Sequence, residues 1–200
     1  MFKERYYYGD PYFGHSNVIR MCNRPFENVE AMNETLIERW NSRVKGQDDV
    51  YIIGDMFFRC EDPETILRQL KGHKHLLVGN HDTSWMERVP LSRYFVDVEE
   101  LSVVTDGKRT IAMCHYPLLT WKHQHRANSY MIHGHLHNNT DQDFWPSICA
   151  RERLLNAGVD INSFMPVTIE ELIVNNEAFK KMHWREYPTI GSEESEDTIN

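Results

Sequence analysis

Val50-Tyr51-Ile52-Ile53-Gly54-Asp55 is a short, wholly apolar run that breaks off at a glycine followed by a carboxylate. A strand without polar alternation is one covered on both faces, the kind found inside α/β proteins. The same pattern recurs on either side. His75-Leu76-Leu77-Val78 stops at Gly79-Asn80-His81-Asp82, and Tyr6-Tyr7-Tyr8 stops at Gly9-Asp10. Helical segments lie between these strands. Glu27 to Val44 carries Val29, Met32, Leu36, Trp40 and Val44 at helical spacing. Asp62-Pro63 opens a further helix as N-cap and first residue, with Ile66, Leu67 and Leu70 turned inward.

The second half of the chain changes character. Leu101 to Thr105 and Arg109 to Cys114 flank Asp106-Gly107, a hairpin signal, and His115 follows directly. Tyr130-Met131-Ile132 reads as a strand ahead of His133-Gly134-His135-Leu136-His137, and another strand is expected near Arg153 to Leu155. Thr168 with Glu171 forms a capping box for a last helix from Ile169 to about Met182, with Leu172, Ile173 and Phe179 as its apolar side. No internal repeat or interdomain linker interrupts the pattern. The expectation is one α/β domain over residues 1–188, and an acidic, disordered tail over 189–200 that contains Glu193, Glu194, Glu196 and Asp197.

Composition narrows the function classes. The 200 residues are 40% hydrophobic and 26% charged, with 10 Gly and 8 Pro, which excludes collagen, coiled coil and wholesale disorder. Lys and Arg number 22 against 30 Asp and Glu, a net charge of −8, which argues against stable nucleic-acid binding or attachment to a membrane surface. An anionic substrate remains compatible, because bound metal ions reverse the local field. The 4 cysteines form no C-x-x-C, no apolar window is long enough to span a membrane, and Met1 to Tyr6 lacks a signal-peptide stretch. The expected setting is cytoplasmic, with reduced thiols.

Five times a β-like segment runs out into a loop bearing Asp, Asn or His: Asp10, Asp55, Asn80, His115 and the pair His135/His137. Side chains at the ends of buried strands are held by a rigid scaffold and project from one sheet edge. Carboxylate, amide oxygen and imidazole together suit Mn, Fe, Zn or Ni, and are too rich in nitrogen for Ca²⁺.

In that order, Gly9-Asp10, Gly54-Asp55, Gly79-Asn80-His81-Asp82, Cys114-His115 and Gly134-His135-Leu136-His137 resemble the calcineurin-like metallophosphoesterase superfamily. Its signature is D-x-H, G-D, G-N-H-[DE], H and G-H-x-H. The flanks Phe13-Gly14-His15, Asn23-Arg24-Pro25-Phe26, His115-Tyr116-Pro117-Leu118 and Gly158-Val159-Asp160 are similar to its small bacterial and phage phosphoesterases, and the likeness covers about residues 6 to 175. The resemblance implies a four-layer α-β-β-α sandwich of mixed sheets flanked by helices. It also implies two divalent or trivalent metal ions, manganese foremost. Asp55 would bridge them, Asp10 and His137 would complete the first ion's shell, and Asn80, His115 and His135 would bind the second. A metal-bridging hydroxide would attack phosphorus in line. His81 would serve as general acid with Asp82 orienting its ring. The implied substrate is a small phosphoester or nucleotide, a diester slightly ahead of a monoester because the chain lacks a cap domain. The alternative is a catalytically weakened scaffold that binds protein, as the retromer subunit of this fold does.

One position departs from the signature: Tyr12 stands where D-x-H has histidine. Three readings stay open. A phenolate can ligate an oxidised metal, Tyr12 can stay protonated and leave the first ion fewer ligands, or His15 can substitute. In the purple acid phosphatases a ligating tyrosine comes from G-D-x-x-Y, whose matching position here is Phe58. Arg59 is a candidate substrate-binding residue, with a surface ion pair as its plainer role. Lys122, His123, His125 and Arg126 offer phosphate contacts or simply a solvated face. His133 reads as a satisfied core histidine or a partner orienting a ligand, and Asp160 as structural.

Overall fold

Tyr6 and Tyr8 face one layer of the core and Tyr7 the next, and this period of two repeats through every buried strand. The computed structural model describes residues 3–184. The chain runs β1 (Arg5–Tyr8), α1 (Ser16–Met21), α2 (Val29–Arg43), β2 (Asp49–Ile52), α3 (Pro63–Leu67), β3 (His73–Leu77) and α4 (Thr83–Met86). It continues through β4 (Phe95–Glu99), β5 (Leu101–Asp106), β6 (Arg109–Cys114), β7 (Ser129–His133), α5 (Trp145–Cys149), β8 (Leu154–Asn156) and α6 (Ile169–Met182). Strands β1-β2-β3-β4 make one four-stranded sheet and β5-β6-β7-β8 a second. The first is parallel throughout; the second begins with the antiparallel β5–β6 hairpin and continues parallel, so mixing is confined to it.

Alternation sorts the apolar side chains into three layers. Tyr6, Tyr8, Val50, Ile52 and Leu76 pack against Met32, Leu36 and Trp40 of α2 and Ile66 and Leu67 of α3. Tyr7, Tyr51, Ile53 and Leu77 meet Ile111, Met113, Ile132 and Leu155 of the other sheet. Ala112, Met131 and Leu154 turn outward onto Trp145 and Ile148 of α5, with Phe179 of α6 beside them. Helix, sheet, sheet and helix therefore follow in sequence, a single-domain α/β sandwich as expected. The inner strands of both sheets are covered on both faces, which is why they read as apolar runs.

Local signals act where they stand. The Asn28 side chain accepts the Ala31 N–H to start α2, Asp62 accepts from Thr65 ahead of α3, and both halves of the Thr168/Glu171 capping box form. Asp106 pairs with Arg109, so the hairpin turn itself is Gly107-Lys108, one residue later than the Asp-Gly signal, with Gly107 at φ 59°. Helices α1, α4 and α5 and strand β4 had no counterpart in the sequence reading. Among the described residues no helix is long and apolar enough to cross a membrane. The tail expected over 189–200 lies outside the described residues.

Lys180 is the unexpected member of the core. Its Nζ donates to the carbonyls of Arg151 (2.7 Å) and Leu154 (2.5 Å), closing the end of α6 onto β8. Burial pushes its pKa down to about 8 from 10.5, against a weak opposing pull from Cys149 and Glu152. The folded chain thus sheds this proton before the unfolded chain does. Its contribution to stability is complete above about pH 10.5 and is lost as pH falls through about 8. In urea titrations at pH 8 and pH 10, Lys180→Met is expected to show a smaller rise in midpoint with pH than the parent; an unchanged rise would show that Lys180 titrates normally.

Candidate metal centre

All the candidate ligands sit just beyond the carboxyl ends of parallel strands, where open α/β sheets bind their ligands. Asp10 follows β1, Asp55 follows β2, Asn80 and His81 follow β3, His115 follows β6, and His135 and His137 follow β7. Main-chain bonds tie neighbouring loops within each sheet, Asp10 N–H to Gly54 O (3.1 Å) and Gly134 N–H to His115 O (2.9 Å), and join the two sheets through Gly9 N–H to Ala157 O (2.8 Å).

Four side chains converge. His115 spends Nδ1 on the Ile53 carbonyl (2.9 Å), which leaves Nε2 3.1 Å from Asn80 Oδ1 and 3.3 Å from Asp55 Oδ2. The His135 ring lies 5.1 Å from that of His115, and donor atoms of Asp55, His115 and His135 all fall within 4.8 Å of one another. Asp10 joins through its carboxylate, which accepts the His135 N–H at 3.0 Å. His137 packs against Tyr12 at 5.1 Å and binds Asp160 Oδ2 through Nδ1 at 2.9 Å.

The backbone is strained where the chemistry is. Asp10, Tyr12, Asp55, Arg59, His135 and His137 all have φ between 50° and 68°, the left-handed region. Such residues each cost about 1 kcal/mol or more and collect at functional sites. Glycines make room for the ligands. A Cβ at Gly79 would lie 2.3 Å from Asp55 Oδ1, and one at Gly134 would lie 2.6 Å from Asp10 Oδ2 and 2.7 Å from the Ile53 carbonyl.

The electrostatics are those of a site with surplus negative charge. Burial pushes the Asp10 carboxyl up to about 6, with His137 and His115 pulling against it. Burial alone would raise Asp55 too, but hydrogen bonds from His115, the Tyr12 hydroxyl and the His81 N–H hold it down at about 2. Burial opposes protonation of His115, yet Asp55 and Asp10 lift it to about 9; His137 is lifted against the same penalty to about 10, chiefly by Asp160.

Tyr12 donates its hydroxyl to Asp55 Oδ2 at 2.5 Å, and burial beside that carboxylate drives its pKa far up, so it is a phenol here. His15 packs edge-on to Phe58 at 4.4 Å and lies 5.5 Å from the Tyr12 ring. Asp82 is a correction. Oδ2 accepts the N–H of Asp55 (2.8 Å) and Gly79 (2.7 Å), and Oδ1 accepts the N–H of Met56 (2.8 Å) and the Trp85 indole (2.7 Å). With both oxygens engaged in bracing two loops, Asp82 is not the residue that orients the His81 ring.

Asp160 and Arg24 carry more than the sequence reading assigned them. Asp160 holds the His137 ring and is itself held by Arg24, Nε to Oδ1 at 2.7 Å, an ion pair buried on both sides. Arg24 also donates to the carbonyls of Asp10 and Pro11, both at 2.8 Å, tying the β1 loop to the β7 loop. The signal lay in the Asn23-Arg24-Pro25-Phe26 and Gly158-Val159-Asp160 flanks. His133 is fully buried, with Nδ1 2.8 Å from the Gly134 carbonyl and burial lowering its pKa to about 3, a core histidine that is only half satisfied because its Nε2 has no hydrogen-bond partner among the described residues. Arg59 lies exposed with its guanidinium 5.3 Å from the Phe58 ring centre, and shares with His81 a cavity of about 300 Å³ that none of Lys122, His123, His125 or Arg126 lines. A roomier cavity of about 670 Å³, between Tyr130, Arg153, Lys180 and Trp184, contains no candidate ligand; the smaller one borders the chemistry.

No protein-family model matches the chain. Uncharacterized protein MJ1445 of Methanocaldococcus jannaschii is 30% identical over 171 residues, spanning 84% of this chain and 88% of that protein. The two belong to one family. Among solved structures, a protein of unknown function, AQ665 from Aquifex aeolicus, matches with a TM-score of 0.66 at 24% identity over 85% of this chain and 97% of its own, which shows the shared fold. A Streptococcus pneumoniae TIGR4 protein described as a predicted phosphoesterase overlaps 68% of this chain and 64% of its own with 16% identity, but its TM-score of 0.36 is too low to carry an argument.

Gly134→Ala is expected to push Asp10 aside and to weaken binding of Mn²⁺ at least tenfold by calorimetry, with the fold retained by circular dichroism. Unchanged affinity would show that the close approach to Asp10 is immaterial.

Proposed function

We propose that this protein is a metal-dependent phosphoesterase that hydrolyses a phosphomonoester or phosphodiester, with diesters slightly favoured. The observation that carries the reading is the meeting of Asp55, Asn80, His115 and His135, with Asp10 beside them, at the one edge where strands of both sheets end. The donor set fits a metal pair. Two buried carboxylates, an amide oxygen and imidazole nitrogens face one another within reach of shared ions. His115 must give up its Nε2 proton to ligate, and metal affinity would therefore weaken as the pH is lowered. Two divalent ions, manganese foremost, would supply charge to neutralise phosphoryl oxygens and to acidify a water molecule.

The chain's own groups then have defined tasks. Asp55 would serve both ions: it is a carboxylate, with two oxygens where a ring nitrogen has one lone pair, and it stands beside His115 and His135. Asp10 and His137 would hold one ion and Asn80, His115 and His135 the other. With Nδ1 committed to Asp160, His137 has only Nε2 to offer, and Asp160 with Arg24 keeps that ring in register. With its hydroxyl donated to Asp55, Tyr12 would leave the first ion one protein ligand fewer than the signature provides. His81, on the rim of the cavity beside Tyr12, passes its proton to the departing oxygen.

Purified protein in Mn²⁺ is expected to release nitrophenol from bis-p-nitrophenyl phosphate, and to stop in EDTA. Absence of turnover with every divalent metal, on this diester and on the monoester, would sink the reading. Two substitutions separate the roles. Asp55→Asn is expected to abolish turnover and strip bound metal, whereas His81→Ala keeps its metal content and loses about 10²–10⁴-fold in kcat. Metal loss in the His81 variant would make that histidine a ligand instead.

A further inference from the structure

We propose that the cavity beside His81 receives the leaving alcohol of the substrate, and that this alcohol carries a flat aromatic ring, as a nucleoside does. The inference rests on the phosphoesterase reading above and adds to it the substrate class. The cavity, about 300 Å³, has the proposed ligand His137 at one side, and its lining includes Tyr12, His15, Met21, Phe58, Arg59 and His81. A group that protonates the departing oxygen must touch the alcohol, so a space bordered by His81 lies on the leaving-group side. As the P–O bond to the alcohol breaks and water adds to phosphorus, the proton from His81 goes to that oxygen and the alcohol leaves neutral.

The walls decide what kind of alcohol fits. Phe58 meets His15 edge-on at 4.4 Å and His81 edge-on at 4.8 Å, and Tyr12 stands 6.4 Å from Phe58, so the floor is built of rings. Met21 extends the apolar wall and is 73% exposed, a large hydrophobic side chain left in water at the end of α1. Arg59 is held by a left-handed backbone (φ 54°), and its exposed guanidinium, 5.3 Å from the Phe58 ring centre, is available to an incoming ring in the same way. A bare sugar or a short alkyl chain would leave these walls wet. A planar heterocycle covers them, meets ring edges and thioether, and takes a cationic plane on one face.

The test uses the Mn²⁺-loaded full chain, with adenosine and ribose as product-like inhibitors of bis-p-nitrophenyl phosphate hydrolysis. They share the sugar hydroxyl and differ by the ring. Adenosine is expected to compete with an inhibition constant at least tenfold below that of ribose. Phe58→Ala should raise the adenosine constant at least tenfold and leave the ribose constant in place. Met21→Glu, an exposed change that cannot disturb the core, should weaken adenosine in the same direction. Equal inhibition by adenosine and ribose, or an adenosine constant indifferent to both substitutions, would overturn the pocket assignment while metal-dependent hydrolysis stands. Absence of hydrolysis in Mn²⁺ before any inhibitor is added would overturn both readings together.

Discussion

The carboxylate of Asp82 is where the architecture becomes a site. It is fully buried, and its oxygens take up four N–H groups, from Gly79, Asp55, Met56 and the Trp85 indole. The loops after β2 and β3 leave the sheet as neighbours, but nothing in the ladder itself dictates how they turn beyond its end. A buried charged acceptor with donors from both loops fixes that turn, and losing it would leave several donors unsatisfied in the interior. Asp55 then projects with Oδ1 on the His81 N–H and Oδ2 toward His115, and the rest of the cluster assembles around it.

A second clamp works across the sandwich. Arg24 and Asp160, with side chains 0% and 1% exposed, join the loop after β1 to the turn following β8 and to His137. A buried ion pair is weak evidence of net stabilisation, because desolvation offsets much of the attraction. Its value here is positional. Each charge is satisfied several times over, and removing either would strand the other in the core.

Much of this was legible in the sequence. Apolar runs such as Val50 to Ile53 announced strands buried on both sides, the Asp62 and Thr168 caps lie at the starts of their helices, and each Gly-Asp, Gly-Asn or His loop does fall at a strand end. What escaped was of two kinds. Strand β4, Phe95-Val96-Asp97-Val98-Glu99, lies at the sheet edge with largely exposed side chains, so the apolar pattern that marks its neighbours is missing. The partners of Asp82 and Asp160 escaped for another reason. Both bind groups from segments distant in the chain, some of them main-chain N–H, which carry no residue identity to read.

The left-handed backbone at Asp10, Asp55, His135 and His137 bears on how substitutions at these positions are interpreted. Asparagine tolerates that conformation better than other side-chain-bearing residues, and alanine does not. Truncation to alanine would therefore impose a conformational penalty on the loop in addition to removing a functional group, and the two losses would be read as one. Asparagine replacements separate them, keeping the turn while altering the donor. For the same reason, drift at these four positions has few neutral exits, since a residue must satisfy both the torsion and the chemistry.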